Sequence, residues 1–319
     1  MAFTIIANVS ESWLDRMHGW HMELFLVPTV LLTLDTLVLD LLLVACIFCS
    51  PVLRQETRYL LLANTLVADM TFASVNLAMV TCTVLRVAVQ RVACEVAMAV
   101  TITAYCCAVL GVTFMVVDTY VAVRWPLHYD SLLPPSRARK LSAGLWLLAS
   151  MYPLSLIIIL EALEEDAPQR LALCLVLITV GALGKEMMVG LHMFFTIGAV
   201  LCFLLIIYCY VRLYVVTRRS GIWQQRYSRA RVTVLAHGVL LLLYFVPGLV
   251  FTVELALFEH KYMAGQPNMW VNITNMSVLM LLPRALAPYL YGLRYREIYT
   301  TLKQLLFKRR QLNQVNTVS

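Results

Sequence analysis

Three ionisable side chains, Asp40, Asp69 and Arg284, fall inside stretches that are otherwise apolar. A carboxylate surrounded by hydrocarbon is costly unless a cation or strong donors meet it. The chemistry open to these residues is charge pairing in a low-dielectric interior. Catalysis is excluded as a reading, because no Ser/His/Asp set, HExxH run or metal cluster occurs at a shared depth. Nine cysteines are present, but they do not form a disulfide framework. Cys46, Cys49, Cys82, Cys106, Cys107, Cys202 and Cys209 lie within apolar runs and read as small core residues. Cys94 and Cys174 stand apart, at the ends of such runs, and no Cys/His spacing suggests zinc. Pro247, within another apolar run, removes a backbone hydrogen bond and predicts a kinked helix.

The elements that hold these residues follow from composition. Of 319 residues, 61% are hydrophobic and 13% charged, against about 25% charged in a soluble domain. The apolar surplus must face lipid. The net charge of +7 bears on loops beside anionic lipid, and no nucleic-acid partner is expected. A crossing helix needs about 20 mostly apolar residues, since hydrocarbon leaves the backbone no water to bond. Seven stretches qualify: 24–48, 59–81, 96–117 continuing to 123, 141–160, 189–214, 232–258 and 271–291. The run from Leu171 to Leu183 is too short to cross and reads as a buried, lid-like part of a loop.

Charge sets the orientation. Eighteen of the 25 Lys and Arg residues fall on one side, beginning with Arg54 and Arg58 and ending with the cluster Lys308, Arg309 and Arg310. The opposite loops carry Glu161, Glu164, Glu165 and Asp166. The basic side reads as cytoplasmic. The N-terminus is then outside, where Asn8-Val9-Ser10 is either a glycosylation acceptor or a chance match. Asn272 and Asn275 also begin sequons, but they lie too close to the seventh span to be expected in use. After Tyr291, apolar residues recur at Ile298, Leu302, Leu305 and Leu306, which predicts a short amphipathic helix on the inner leaflet. The expected fold class is all-α, a seven-transmembrane helix bundle with that short eighth helix. Its expected divisions are an extracellular segment 1–23, a bundle 24–293, the amphipathic helix 294–308 and a cytoplasmic tail 309–319.

A set of motifs carries a resemblance. Asn64-Thr65-Leu66-Val67-Ala68-Asp69 stands in the second span, Asp118-Thr119-Tyr120 at the inner end of the third and Trp146 in the fourth. Pro247 lies in the sixth, and Pro288-Tyr289-Leu290-Tyr291 in the seventh. In order, spacing and depth this pattern resembles the rhodopsin-like family of G-protein-coupled receptors and, more distantly, odorant-type receptors. The stretches 220–231 and 280–285 resemble an orphan branch of that family. The resemblance implies a disulfide between Cys94 and Cys174. It also implies activation switches at Asp118, Thr119, Tyr120, Tyr210, Pro247, Pro288 and Tyr291.

Departures from the pattern are as informative. Thr119 replaces the arginine that meets a G protein, so coupling to a heterotrimeric G protein is weakened as an expectation. Ala108 and Ala287 stand at two positions whose oxygens would support a sodium ion beside Asp69. An Asp69–Arg284 ion pair is expected in place of the ion, with Asp40 joining it. The alternative is that Arg284 faces another helix and serves packing.

The resemblance also implies a ligand pocket lined by Thr101, Ile102, Tyr105, Phe194, Gly198, Phe245, Leu249, Thr252, Ile273 and Ser277. That lining is apolar with a few hydroxyls and suits a small, largely apolar molecule. Thr101 stands where amine receptors carry an acid, so a monoamine is not expected. Glu254 and Lys185 stand at the rim, either to meet a charged group or as solvated ends. The leading expectation is a plasma-membrane receptor with no cofactor. A non-coupling protein that regulates or oligomerises with other receptors is the alternative. A channel or transporter is disfavoured by the lack of internal repeats.

Overall fold

The computed structural model describes residues 19–163, 170–171, 174, 185–219, 238–240, 242–254 and 266–294. Helices occupy each of the seven stretches that hydropathy predicts. They are α1 (Gly19–Cys49), α2 (Thr57–Val84), α3 (Arg91–Arg124), α4 (Pro135–Leu163), α5 (Lys185–Arg219), α6 (Gly238–Glu254) and α7. Helix α7 runs from Gln266–Thr274 through a π-helical turn, Asn275–Leu279, into Leu282–Arg294. Among the described residues, three segments are long and apolar enough to cross a membrane by length and composition: Leu24–Cys49, Thr57–Val84 and Arg91–Arg124. Asn8, the arginine-rich stretch 220–231, most of the 171–183 run and the amphipathic segment after Arg294 lie outside the described residues.

Helix α1 displays an inside-out pattern. Leu24, Val27, Leu31, Leu34, Val38 and Leu41 recur at helical spacing and are all more than half exposed. The opposite stripe, Thr29, Thr33, Thr36 and Asp40, is fully buried. A water-soluble helix would be arranged the other way round, with its apolar stripe toward the core. The buried threonines reconcile polarity with burial by bonding their own helix: Thr29 Oγ1 donates to Phe25 O at 2.7 Å and Thr36 Oγ1 to Leu32 O at 2.8 Å.

Helix α3 is the axis of the bundle, packed against α2, α4 and α5. Its buried residues Cys107, Ala108, Val112 and Met115 join Leu62, Leu66 and Ile206 in the main apolar cluster, and Gly111 is buried on the same helix. Asn64 ties three helices together: its Oδ1 accepts from Trp146 Nε1 at 2.9 Å, and its Nδ2 lies 3.7 Å from Cys107 Sγ. Gly111 permits this approach, since a Cβ there would collide with Thr65 Oγ1. Gly111→Ala is expected to lower stability by about 1–3 kcal/mol through overpacking. Melting of the detergent-solubilised protein measures this, with Gly144→Ala as the neutral control, because nothing lies within 4 Å of that Cβ position.

Among the described residues, one departure from an all-α fold is present. Helix α2 ends with Arg86 in the left-handed region (φ 51°), and Val87 N donates back to Cys82 O at 2.9 Å. This reversal presents β1 (Val89–Gln90) antiparallel to β2 (Arg170–Leu171), with Val89 opposite Leu171 and Gln90 opposite Arg170. Cys94 and Cys174, just beyond the two strands, form a disulfide with a Cα–Cα separation of 5.7 Å.

Candidate functional site

Midway along the bundle, Asp69 of α2 and Arg284 of α7 are both fully buried, with Arg284 Nε 3.3 Å from Asp69 Oδ1. Tyr244 of α6 donates its hydroxyl to Asp69 Oδ2, and Arg284 Nη1 donates to Met280 O one turn back along α7. The guanidinium lies over the Phe72 ring at 3.7 Å, with Tyr105 and Tyr244 rings at 5.4 and 5.5 Å. A delocalised, weakly hydrated cation suits such an aromatic cage better than an ammonium would. The core therefore joins α2, α3, α6 and α7 through one cation. Ala108 and Ala287 are fully buried beside this region and offer no side-chain oxygen. That donor set does not fit a hydrated sodium ion. Among the described residues, no group of three or more His, Cys, Asp or Glu is placed to hold a metal.

Asp40 is buried nearby on α1, but the expected third member of the ion pair is absent from it. Among the described residues, neither Asp40 oxygen has a hydrogen-bond partner, and no ion pair reaches it. The physical reason is the guanidinium's fixed orientation, turned toward Asp69, Met280 O and Phe72.

Toward Asp118, the third-helix motif takes an unusual form. Tyr129, on the single turn Tyr129–Leu132, donates to Asp118 Oδ1 at 2.7 Å, and Thr119 Oγ1 turns back to Met115 O at 2.8 Å. Burial, and then the bond to Asp118, push the Tyr129 phenol pKa up, so it stays a donor throughout the physiological range. Tyr120 packs edge-on against Trp125 and Tyr208. Tyr291 is buried in the main cluster and Tyr210 packs against it, while Pro288 is buried within α7.

Toward Cys94, the expected pocket residues divide. Thr101 is buried, but its hydroxyl bonds its own helix at Ala97 O, 2.8 Å away, and Thr252 likewise bonds Gly248 O. Tyr105 crosses to α6 and donates to Tyr244 O at 2.9 Å, one turn before Pro247. Ser277 is buried, with its carbonyl accepting from Thr29, and Ile102 and Ile273 are half-buried. Phe245 is half-buried against Phe203. Phe194, Gly198 and Leu249 are exposed and do not line an interior. Leu249 is 66% exposed because it lies two residues, about 200° of helical turn, past buried Pro247. The true inward stripe of α6 is Leu240, Tyr244, Pro247, Phe251 and Glu254, spaced four, three, four and three. Glu254 is thus buried (4% exposed), not a solvated rim residue. Asn272 and Asn275 are buried too, which removes both as glycan acceptors in this fold. Tyr244 is the residue that sequence reasoning missed, although this four-three spacing was present to find it.

A buried charge core joins four helices, with Pro247 one turn along α6 from Tyr244 and a disulfide across one end of the bundle. The chain belongs to the family described as 7 transmembrane receptor (rhodopsin family), whose model matches residues 40–304. Membership implies a seven-helix bundle in a membrane and a receptor instead of an enzyme. Among its relatives is the human (Homo sapiens) protein described as probable G-protein coupled receptor 148. It is 34% identical over 288 residues, which cover 89% of this chain and 82% of that protein. Odorant receptor 131-2 of Danio rerio is 24% identical over 265 residues, covering 79% of this chain and 77% of its own length.

Proposed function

We propose that this chain is a plasma-membrane receptor that senses a small, largely apolar extracellular ligand and signals through a heterotrimeric G protein at its cytoplasmic face. The N-terminus is outside, Asn8 is the glycosylated position, and the basic segment after Arg294 forms an amphipathic helix against inner-leaflet lipid.

The observation that carries this reading is the link between Pro247 and the charge core. Tyr244, one turn from Pro247 on the same buried stripe, bonds Asp69 through its hydroxyl and Tyr105 through its carbonyl. A ligand that moves the half of α6 beyond Pro247 therefore works against contacts to α2 and α3. Two arrangements of one lever, each preferred by a different partner, are what coupling requires. The half-buried Ile102, Ile273 and Phe245 and the buried Thr101, Tyr105 and Ser277 supply the apolar lining with few hydroxyls.

Thr119 favours one competing reading, a seven-helix protein that regulates or oligomerises with other receptors without coupling. The test is G-protein activation in cells with confirmed surface expression, for wild type and Thr119→Arg. A basal signal above mock-transfected cells is expected for wild type, and a several-fold higher one for Thr119→Arg, which restores a cation beside Asp118. Silence from both chains at equal surface level would favour the non-coupling reading.

A further inference from the structure

Where the Cys94-proximal ends of α6 and α7 meet, acceptors outnumber donors. Asn272 Nδ2 donates to Glu254 Oε2 at 2.9 Å, and Asn275 Nδ2 donates to Pro247 O at 3.2 Å. These bonds fix both amides and leave three acceptor oxygens: Glu254 Oε1, Asn272 Oδ1 and Asn275 Oδ1. All three are buried, and none has a donor among the described residues. Exposure is 4% for Glu254 and 0% for each asparagine. No cation among the described residues pairs with Glu254, although Asp69, at a similar burial, has Arg284.

A buried carboxylate with one oxygen unmet is costly, and amide oxygens without donors add to that cost. The asparagines sit on the last α-helical turn and the first residue of the π-helical turn of α7. Such local irregularity is frequent at functional positions. The stray acceptors ask for a group with one positive charge and about three N–H donors, which describes an ammonium. Water would supply two donors and no charge.

We propose that Glu254, Asn272 and Asn275 form the anchoring subsite for a protonated primary amine carried on the otherwise apolar ligand. This rests on the receptor reading above and adds the ligand's one charged group. The lack of an acid at Thr101 removes an anchor on α3 only; here the anchor belongs to α6 and α7.

The full chain, purified in detergent, is unfolded by heat with cyclohexylmethylamine or with cyclohexylmethanol, its neutral counterpart. Near saturation the amine is expected to raise the midpoint by about 3 °C, with no shift from the alcohol. The isosteric variant E254Q should weaken the apparent affinity about tenfold or more, consistent with loss of a charge-assisted bond. If E254Q does not fold, N272A deletes one acceptor while keeping the carboxylate, and it should also reduce the shift. An amine shift no larger than the alcohol's, or one unchanged in both variants, overturns the proposal. An equal shift from sodium chloride assigns the cluster to an inorganic cation and also overturns it. Binding is read here without a G protein. A chain that binds the amine but never signals overturns only the preceding section, and one that signals while ignoring the amine overturns only this one.

Discussion

Replacing Arg284 with alanine is expected to remove most of the folded protein from the cell surface. The substitution strands Asp69 in an interior where it is fully buried, close to Asp40, which has no ion-pair partner among the described residues even with Arg284 in place. Deleting one partner of a buried pair costs about 3–5 kcal/mol, a large share of the roughly 5–15 kcal/mol by which folded domains exceed their unfolded states. Alanine also vacates the space over Phe72, where the guanidinium lies at 3.7 Å. The measurements are surface immunostaining against total protein and the monodisperse fraction on size-exclusion chromatography.

Companion variants separate charge from packing. Asp69→Asn should be milder, because it removes one carboxylate and leaves the guanidinium with its Met280 carbonyl and aromatic rings. Arg284→Lys should fall between, since an ammonium keeps the charge but not the planar stacking. The apolar double variant Asp69→Leu with Arg284→Met should recover much of what Arg284→Ala loses, as apolar replacements of buried pairs often do. Wild-type surface levels for Arg284→Ala would mean that the pair is idle in folding.

The pair could be read from sequence because charge in hydrocarbon is rare and Arg284 lies one turn before Pro288. Hydropathy alone located all seven helical stretches, since a backbone without water has few options. The facing of α6 was harder to read. Nearly every residue from 239 to 253 is apolar, so period carries little information, and offsets of one and two residues placed Phe245 and Leu249 where Tyr244 and Pro247 belong. On α1 the pattern is clear because threonines and Asp40 mark the inner stripe. The π-helical turn Asn275–Leu279 has no local signature; it depends on where Asn272 and Asn275 find partners across α6. As sequons those asparagines are already expected to go unused, because they lie too close to the seventh span. Only packing shows that the Asn272 amide meets Glu254 and the Asn275 amide meets the Pro247 carbonyl.

Cys94→Ser is expected to cost almost as much as losing Arg284. The disulfide joins the start of α3 to a position 80 residues later, and both sulfurs are buried. By the loop-entropy account, closing a loop of that length contributes about 4.5 kcal/mol. The β1–β2 pairing closes the same loop but consists of two residues on each side, too little to stand alone in water. The cystine also rests against α2, with Cys174 Sγ 3.9 Å from the sulfur of Met79. Breaking the bond therefore releases the loop from α2 and α3 together. The expected result is a melting midpoint lower by on the order of 10 °C, reproduced in the wild type by reductant. Cys174→Ser and the double variant should match Cys94→Ser, because a bond already lost cannot be lost again. A reductant that leaves the wild-type midpoint unchanged would show that packing against α2 and α3, and not the covalent link, holds this end of the bundle closed.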